Sequence, residues 1–407
     1  MSEFRTPRGV HLGRRSLVRI VGAVGIAAVA GGALAACTSD DDTGSGSAAS
    51  GDASAPVPTI VTSVGADEEV PVDHLLRVEA QGGRLASVTV TTVEGAEVPG
   101  EVLEDGLSWA ATALLDPGTS YLLRASARSD GGGEATAEVP FSTVALSLDE
   151  QTFPSIAPLA DEEVGVGMPV VVSFDLPVTD RASFERHMSV TSEPAQPGSW
   201  HWYDDTQVRW RPEAYWQPGT TVTVDVAVNG VPAGGGIYGQ ESRSVTFRVG
   251  RSVIHRVDAA THTMTTVIDG AQARRMPISA GKPGFETRSG VKVVMEKFRT
   301  KTMDAATTGI SPDDPEYYNI EDVEYALRVT NSGEFLHAAP WSSGSQGVAN
   351  VSHGCVGMAT QDAAWVYENT RRGDVVEVTG TDRRMTMENG FGDWNATPEE
   401  YAAGSAL

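Results

Sequence analysis

The 407-residue chain has two cysteines, Cys37 and Cys355, and they keep different company. Cys355 lies in residues 333–358 (GEFLHAAPWSSGSQGVANVSHGCVGM), together with two of the eight histidines, His337 and His353. These residue types suit acyl transfer. A thiolate is a strong nucleophile, and it needs a base or a positive field to form near neutral pH. His337 ends the apolar pair Phe335-Leu336 and could come alongside as that base. His353 is two residues before Cys355, on the same side of an extended chain. Gly354 allows close backbone approach, and the N–H groups of Gly354 and Cys355 could point into one concavity, as an oxyanion hole requires. Two other readings stand beside the nucleophile. One is a buried, inert cysteine near two unrelated histidines. The other is zinc held by His337, His353 and Cys355 with an open position; the spacing permits it, but no acidic or fourth ligand motif stands out.

The elements that must position these residues begin at Arg251. Residues 252–258 and 263–269 read as a hairpin, residues 281–284 and 289–290 as turns, and residues 291–297 as a strand. Residues 299–318 hold few apolar side chains and read as a long irregular segment. A loop of that length inside a compact domain is usually functional. Residues 360–370 read as a helix and 374–379 as the last strand; Trp394, beyond them, is expected to pack back on the preceding domain.

Upstream, residues 59–250 alternate apolar and polar side chains in short runs separated by Gly, Pro and Asp. The segment repeats itself. Trp109 precedes Pro117-Gly118-Thr119 as Trp210 precedes Pro218-Gly219-Thr220, and each unit ends in a Val-x-Phe strand. Units of about 100 residues with many short strands suit immunoglobulin-like sandwiches. Each tryptophan would then be a core plug. The units read as spacers more than as ligand binders. The Trp200, Trp202, Trp210 and Trp216 group fits core packing as well as a glycan-stacking surface.

The N-terminus reads as an address. Five arginines and one acid precede an uncharged, Gly/Ala-rich run over residues 20–36. Leu34-Ala35-Ala36-Cys37 resembles a bacterial lipobox, and Arg14-Arg15-Ser16-Leu17-Val18 resembles a twin-arginine export signal. Cys37 would become the lipid-modified first residue of the mature chain, leaving Cys355 without a disulfide partner. The alternative is an uncleaved anchor; both readings place the remainder outside the cytoplasmic membrane. Residues 37–58 are rich in Ser, Gly, Ala, Asp and Pro and read as a flexible stalk. Past residue 36, 25 basic residues face 53 acidic ones, which argues against nucleic acid as a partner.

Ser352-His353-Gly354-Cys355 with His337 upstream resembles the signature of the L,D-transpeptidases of the YkuD family. FLHAAPW, Trp210-Arg211-Pro212-Glu213 and Gly392-Asp393-Trp394-Asn395 resemble its mycobacterial members, so the likeness spans essentially the whole chain. It implies a mainly β protein: signal peptide 1–36, stalk 37–58, immunoglobulin-like domains 59–147 and 148–250, a YkuD-type β-sandwich catalytic domain 251–379 with a short helix, and a tail 380–407 packed on the preceding domains.

The resemblance also implies roles. Cys355 would be the nucleophile and His337 the base, its second ring nitrogen held by a carbonyl near Ala338. His353 would polarise the site, and the N–H groups of Gly354 and Cys355 with the Tyr318 hydroxyl would stabilise the oxyanion. The segment 299–318 would be a lid with Met303 facing the cleft, and Trp341 and Ser352 would build the wall. Peptidoglycan stem peptides would be donor and acceptor, carbapenems inhibitors, and no metal or cofactor is implied. A carboxypeptidase, a wall-protein ligase and a non-catalytic wall-binding module are the alternatives. The chain departs from the family at Gly357, where Asn or Arg is common, and over Glu286-Thr287-Arg288-Ser289-Gly290, where Thr-Pro-x-Gly is common.

Overall fold

The computed structural model describes residues 56–407. The signal segment, Cys37 and residues 38–55 of the stalk lie outside the described residues. The first sandwich has two four-stranded sheets. One orders Thr59–Thr62, Arg77–Gln81, Ser108–Ala111 and Gly100–Val102; the other orders Glu68–Val70, Glu134–Thr143, Ser120–Arg128 and Arg84–Thr92. The second repeats this order with Pro154–Ala157, Val170–Phe174, Gln207–Pro212 and Gly198–Trp202 facing Glu163–Val164, Arg243–Val249, Thr221–Val226 and Met188–Glu193.

The repeated tryptophans explain the shared architecture. Trp109 and Trp210 are buried on the third strand of each first sheet. A Cβ on Gly100 would lie 2.0 Å from the Trp109 ring, and one on Gly198 would lie 2.4 Å from the Trp210 ring. Each indole therefore needs a bare backbone on the neighbouring strand. Trp200, Trp202 and Trp216 are buried as well, so the group is core and not a stacking surface.

Two more sheets follow. The five-stranded sheet orders Ala271–Pro277, Thr263–Ile268, Val253–Asp258, Val375–Thr379 and Gly290–Val293; the four-stranded sheet orders Glu296–Asp304, Asn319–Arg328, Phe335–Ala338 and Val356–Met358. Helix Thr360–Asn369 packs on the second of these. The single strand expected over 291–297 is two strands in two sheets. Val294 N–H donates to Asp374 O at 2.9 Å and Met295 N–H to Arg328 O at 2.9 Å, so neighbouring residues bond to different sheets. The irregular stretch expected over 299–318 begins later, because Glu296–Asp304 continues as a strand. Its polar sequence misled, since this strand buries Met303 alone and leaves its other side chains exposed or half-exposed. A short 3-10 turn, Ala305–Thr308, then opens the loop, and the Asp304 carboxylate caps it.

The core of the second sandwich reaches the five-stranded sheet, since Val375 belongs to the same buried cluster as Trp210 and Phe247, while the last two sheets enclose a core of their own around Met264, Leu327 and Val376. Gly165 and Gly167 donate main-chain hydrogen bonds to Arg372 O and Gly373 O at 2.8 and 2.9 Å. The C-terminal residues close the seam. Asp393, fully buried, accepts from Arg209 Nη1 at 3.1 Å and from the hydroxyls of Tyr203 and Tyr401 at 2.9 Å each. Asn395 bonds both main-chain groups of Val291, and Trp394 Nε1 donates to Gly167 O at 2.8 Å.

Two stability predictions follow from this seam. Asp393→Ala strands the Arg209 cation in the interior and should cost about 3–5 kcal/mol, the range for breaking a buried pair. The readout is a lower urea midpoint, and an unchanged midpoint contradicts the role assigned to Asp393. Asp374, also at the seam, has its carboxyl pushed up to about 7 by burial, against the opposing hydrogen bond from Arg371 N–H. The folded state holds the proton more tightly than the unfolded chain, so stability falls as pH rises from about 4 to about 7. Asp374→Asn, which keeps the acceptor, should flatten that decline in midpoints taken between pH 4 and 8.

Candidate active site

Cys355 ends the segment that enters strand Val356–Met358. Only 8% of it is exposed, and it packs in a small apolar cluster with Met303 and Phe335, with Tyr318 at its edge. The thiol is directed at Gly333 O, 3.7 Å away. Burial pushes the thiol up to about 12; the Phe335 N–H and Lys292 pull the other way, while Glu334 adds to the rise. Gly354 has φ +123°, which side-chain-bearing residues rarely adopt.

His337 sits on strand Phe335–Ala338, which pairs in parallel with Val356–Met358 in the register Leu336 to Val356, His337 to Gly357 and Ala338 to Met358. That pairing brings histidine and cysteine to one end of two adjacent strands. The His337 ring is buried, and Nδ1 lies 2.7 Å from Ala338 O. A carbonyl only accepts, so Nδ1 carries the proton and Nε2 keeps its lone pair. Burial pushes the imidazole below its ordinary value, against the opposing Ala338 bond, so the ring is neutral at neutral pH. Trp341, half exposed, stacks on it with centroids 5.8 Å apart.

Met303, Tyr318, His337, Trp341, Ser352, His353 and Cys355 line one cleft of about 200 Å³. Gly354 does not line it and faces the Glu334 side chain behind. Of the adjacent tyrosines, Tyr318 is in the cleft and Tyr317 lies by Asp304. Burial, then the charge of a Cys355 thiolate, pushes the Tyr318 hydroxyl up to about 12, so it remains a donor. Ser352 Oγ accepts from Gly354 N–H at 3.1 Å and donates to Cys355 O at 2.6 Å. An oxyanion would therefore compete with Ser352 for the Gly354 N–H. His353 lies between Phe285 and Tyr318, with centroids 4.7 and 4.9 Å away, and Nε2 is 2.8 Å from Glu316 Oε2. Lys282 also holds Glu316, which ties the loop before Tyr318 to the histidine.

The two sequence departures have local causes. A Cβ on Gly357 would lie 2.8 Å from the Ala339 Cβ, so this strand pair excludes a side chain there. Thr287, buried, donates to Gly354 O at 2.8 Å and accepts from Gly281 N–H at 2.9 Å, so the unusual 286–290 segment props the turn before the cysteine. Sequence reasoning missed Thr287, Glu316, Lys292 and Glu334 as neighbours of the site. The departure over 286–290 was the one available pointer. Among the described residues, no group of three His, Cys, Asp or Glu side chains comes together as a metal site.

Comparisons with known proteins bear on the family. The family described as L,D-transpeptidase catalytic domain matches residues 252–378, and the one described as Bacterial Ig domain matches residues 67–232. L,D-transpeptidase 2 of Mycobacterium tuberculosis strain CDC 1551 / Oshkosh is 37% identical over 338 residues, covering 83% of this chain and 82% of that protein. L,D-transpeptidase 5 of strain ATCC 25618 / H37Rv is 33% identical over 351 residues, covering 84% and 75%. A solved structure of the LD transpeptidase LdtMt1 in complex with imipenem is 38% identical, covers 55% of this chain and 97% of its own, and has a TM-score of 0.49. With a mainly β fold, immunoglobulin-like sandwiches and this catalytic domain, the chain belongs to the L,D-transpeptidase family.

Proposed function

We propose that this enzyme joins peptidoglycan stem peptides by 3→3 cross-links through a thioester on Cys355. The observation that carries the reading is one cleft holding the Cys355 thiol and a buried, neutral His337 whose proton is fixed on Nδ1. With the thiol pushed up and the imidazole pushed down, the resting pair is uncharged. The proton passes from Sγ to His337 Nε2 as the sulfur attacks.

The carbon attacked is the carbonyl of the third residue of a tetrapeptide stem. The oxyanion takes hydrogen bonds from Cys355 N–H and the Tyr318 hydroxyl, and from Gly354 N–H once Ser352 gives way. As the C–N bond breaks, His337 returns the proton to the departing D-Ala amine, and the acyl group stays on sulfur. The side-chain amine of a second stem then attacks the thioester and loses its proton to His337, which gives it back to the leaving thiolate. Proton and charge balance in both halves with these groups alone. Water in place of the amine turns the same enzyme into a carboxypeptidase.

The substrate lies outside the cytoplasmic membrane, which suits export followed by tethering through a lipid on Cys37. Among the described residues, no helix is long and apolar enough to cross a membrane. The sandwiches then serve as spacers that carry the cleft towards the wall.

A carbapenem offers Cys355 a strained carbonyl. Incubation should add the mass of the opened drug to the peptide containing Cys355, and Cys355→Ala should show no adduct. With a disaccharide-tetrapeptide, dimers by mass spectrometry indicate transpeptidation and tripeptides indicate hydrolysis. Absence of adduct and of both products overturns the enzymatic reading. Separately, Cys37→Ser expressed in an actinobacterial host should lose both the lipid mass and the membrane association of the parent chain. Retention of both contradicts the tether.

A further inference from the structure

A buried charge cluster stands directly behind the nucleophile. Lys292 and Glu334 are 1% and 4% exposed, and their side chains form an ion pair. Arg288 completes it, with Nη1 2.9 Å and main-chain N–H 3.1 Å from Glu334 Oε1. The three side chains carry one net positive charge. Burying an ion pair is a poor way to gain stability, since desolvation cancels most of the attraction. Its location points elsewhere. Glu334 lies between Gly333, whose carbonyl faces the thiol, and Phe335, whose N–H favours the thiolate. A Cβ at Gly354 would lie 3.5 Å from Glu334 Cγ, so the same side chain backs the turn that presents Cys355.

We propose that Lys292, with Arg288 and Glu334, is a positioning and field device for the nucleophile: the anchored carboxylate fixes the main chain of residues 333–335 against Cys355, and the Lys292 cation offsets the field by which that carboxylate opposes the thiolate. This rests on the reading of Cys355 as the nucleophile. The charged and titratable groups around the thiol are Lys292 and Glu334 behind it, Tyr318 across the apolar cluster, and His337 and His353 in the cleft; Arg328 lies over Phe335 at 4.9 Å and is itself paired with Glu296. Of these, the Lys292 pair is sealed from solvent on the side of the cysteine away from the cleft, where a unit charge is little screened.

The test is the pH profile of Cys355 alkylation by iodoacetamide on the full chain, read by mass on the peptide that contains Cys355. The sulfur displaces iodide and the thiol proton passes to solvent, so the rate follows the thiolate fraction and needs no peptidoglycan. Lys292→Met leaves Glu334 less neutralised and should move the alkylation midpoint up by about one pH unit or more, a roughly tenfold slower rate below it. Glu334→Gln keeps both cations and should move the midpoint down. The double variant Lys292→Met with Glu334→Leu removes the buried pair and leaves Arg288 at the edge of the cluster; with the opposing carboxylate gone, it should fold and give a midpoint below that of Lys292→Met. A structural role alone predicts slower alkylation in both single variants with the midpoint unmoved, and that result overturns the proposal. So does a double variant that folds and keeps the midpoint of Lys292→Met. If the parent chain alkylates at Cys355 yet takes no carbapenem, the reading of function fails instead.

Discussion

The proposed chemistry turns on the burial of one thiol. An exposed cysteine ionises readily and reacts with whatever reaches it. Cys355 is packed among Met303 and Phe335, with Tyr318 at its edge, and this holds it protonated. Every notable neighbour can be understood as an answer to that condition. His337 keeps an unprotonated nitrogen because its other nitrogen is committed to Ala338 O. Phe335 offers an N–H to the sulfur. Gly354, propped by Thr287 and held by Ser352, fixes the turn on which the sulfur is carried. A thiol buried and protonated in this way is also shielded from casual oxidation.

This arrangement needs a rigid frame, and the frame extends beyond the catalytic sheets. The core of the second sandwich continues into Val375, the strand next to it carries Lys292, and the C-terminal residues bridge both through Asp393, Trp394 and Asn395. The second immunoglobulin-like unit is thus part of the catalytic body's scaffold. The first sandwich has its own separate core around Trp109 and Tyr121.

What could be read from the amino acids was whatever sits close together in the chain. Helix Thr360–Asn369, strand Val375–Thr379 and the hairpin Val253–Asp258 with Thr263–Ile268 fall within a residue or so of their expected bounds, because periodicity and turn residues encode them locally. The cluster of His337, His353 and Cys355 was legible for the same reason. The partners that steady it were not. Lys292 and Glu334 are 42 residues apart, His353 and Glu316 are 37 apart, and Arg209 and Asp393 are 184 apart. A lysine between valines reads as a solvated strand position until the fold brings a carboxylate to it. The long strand Glu296–Asp304 was obscured because a strand solvated on most of its length has no apolar alternation to show.

The parallel register of His337 with Gly357 has one more consequence. Two parallel neighbours cannot be joined by a tight turn, so the chain must cross back over the sheet between them. That return carries Trp341 and Ser352 and forms the cleft wall, pinned to the domain by Gly347 N–H on Ile278 O and by Asn350 on Ala259 and Ala280. Register is set by the strands and shape by the return. Changes in the return that spare the Gly347 and Asn350 anchors can therefore reshape the cleft wall while His337 and Cys355 keep their places. A scaffold so divided lends itself to diversification by gene duplication, and to engineering by loop grafting.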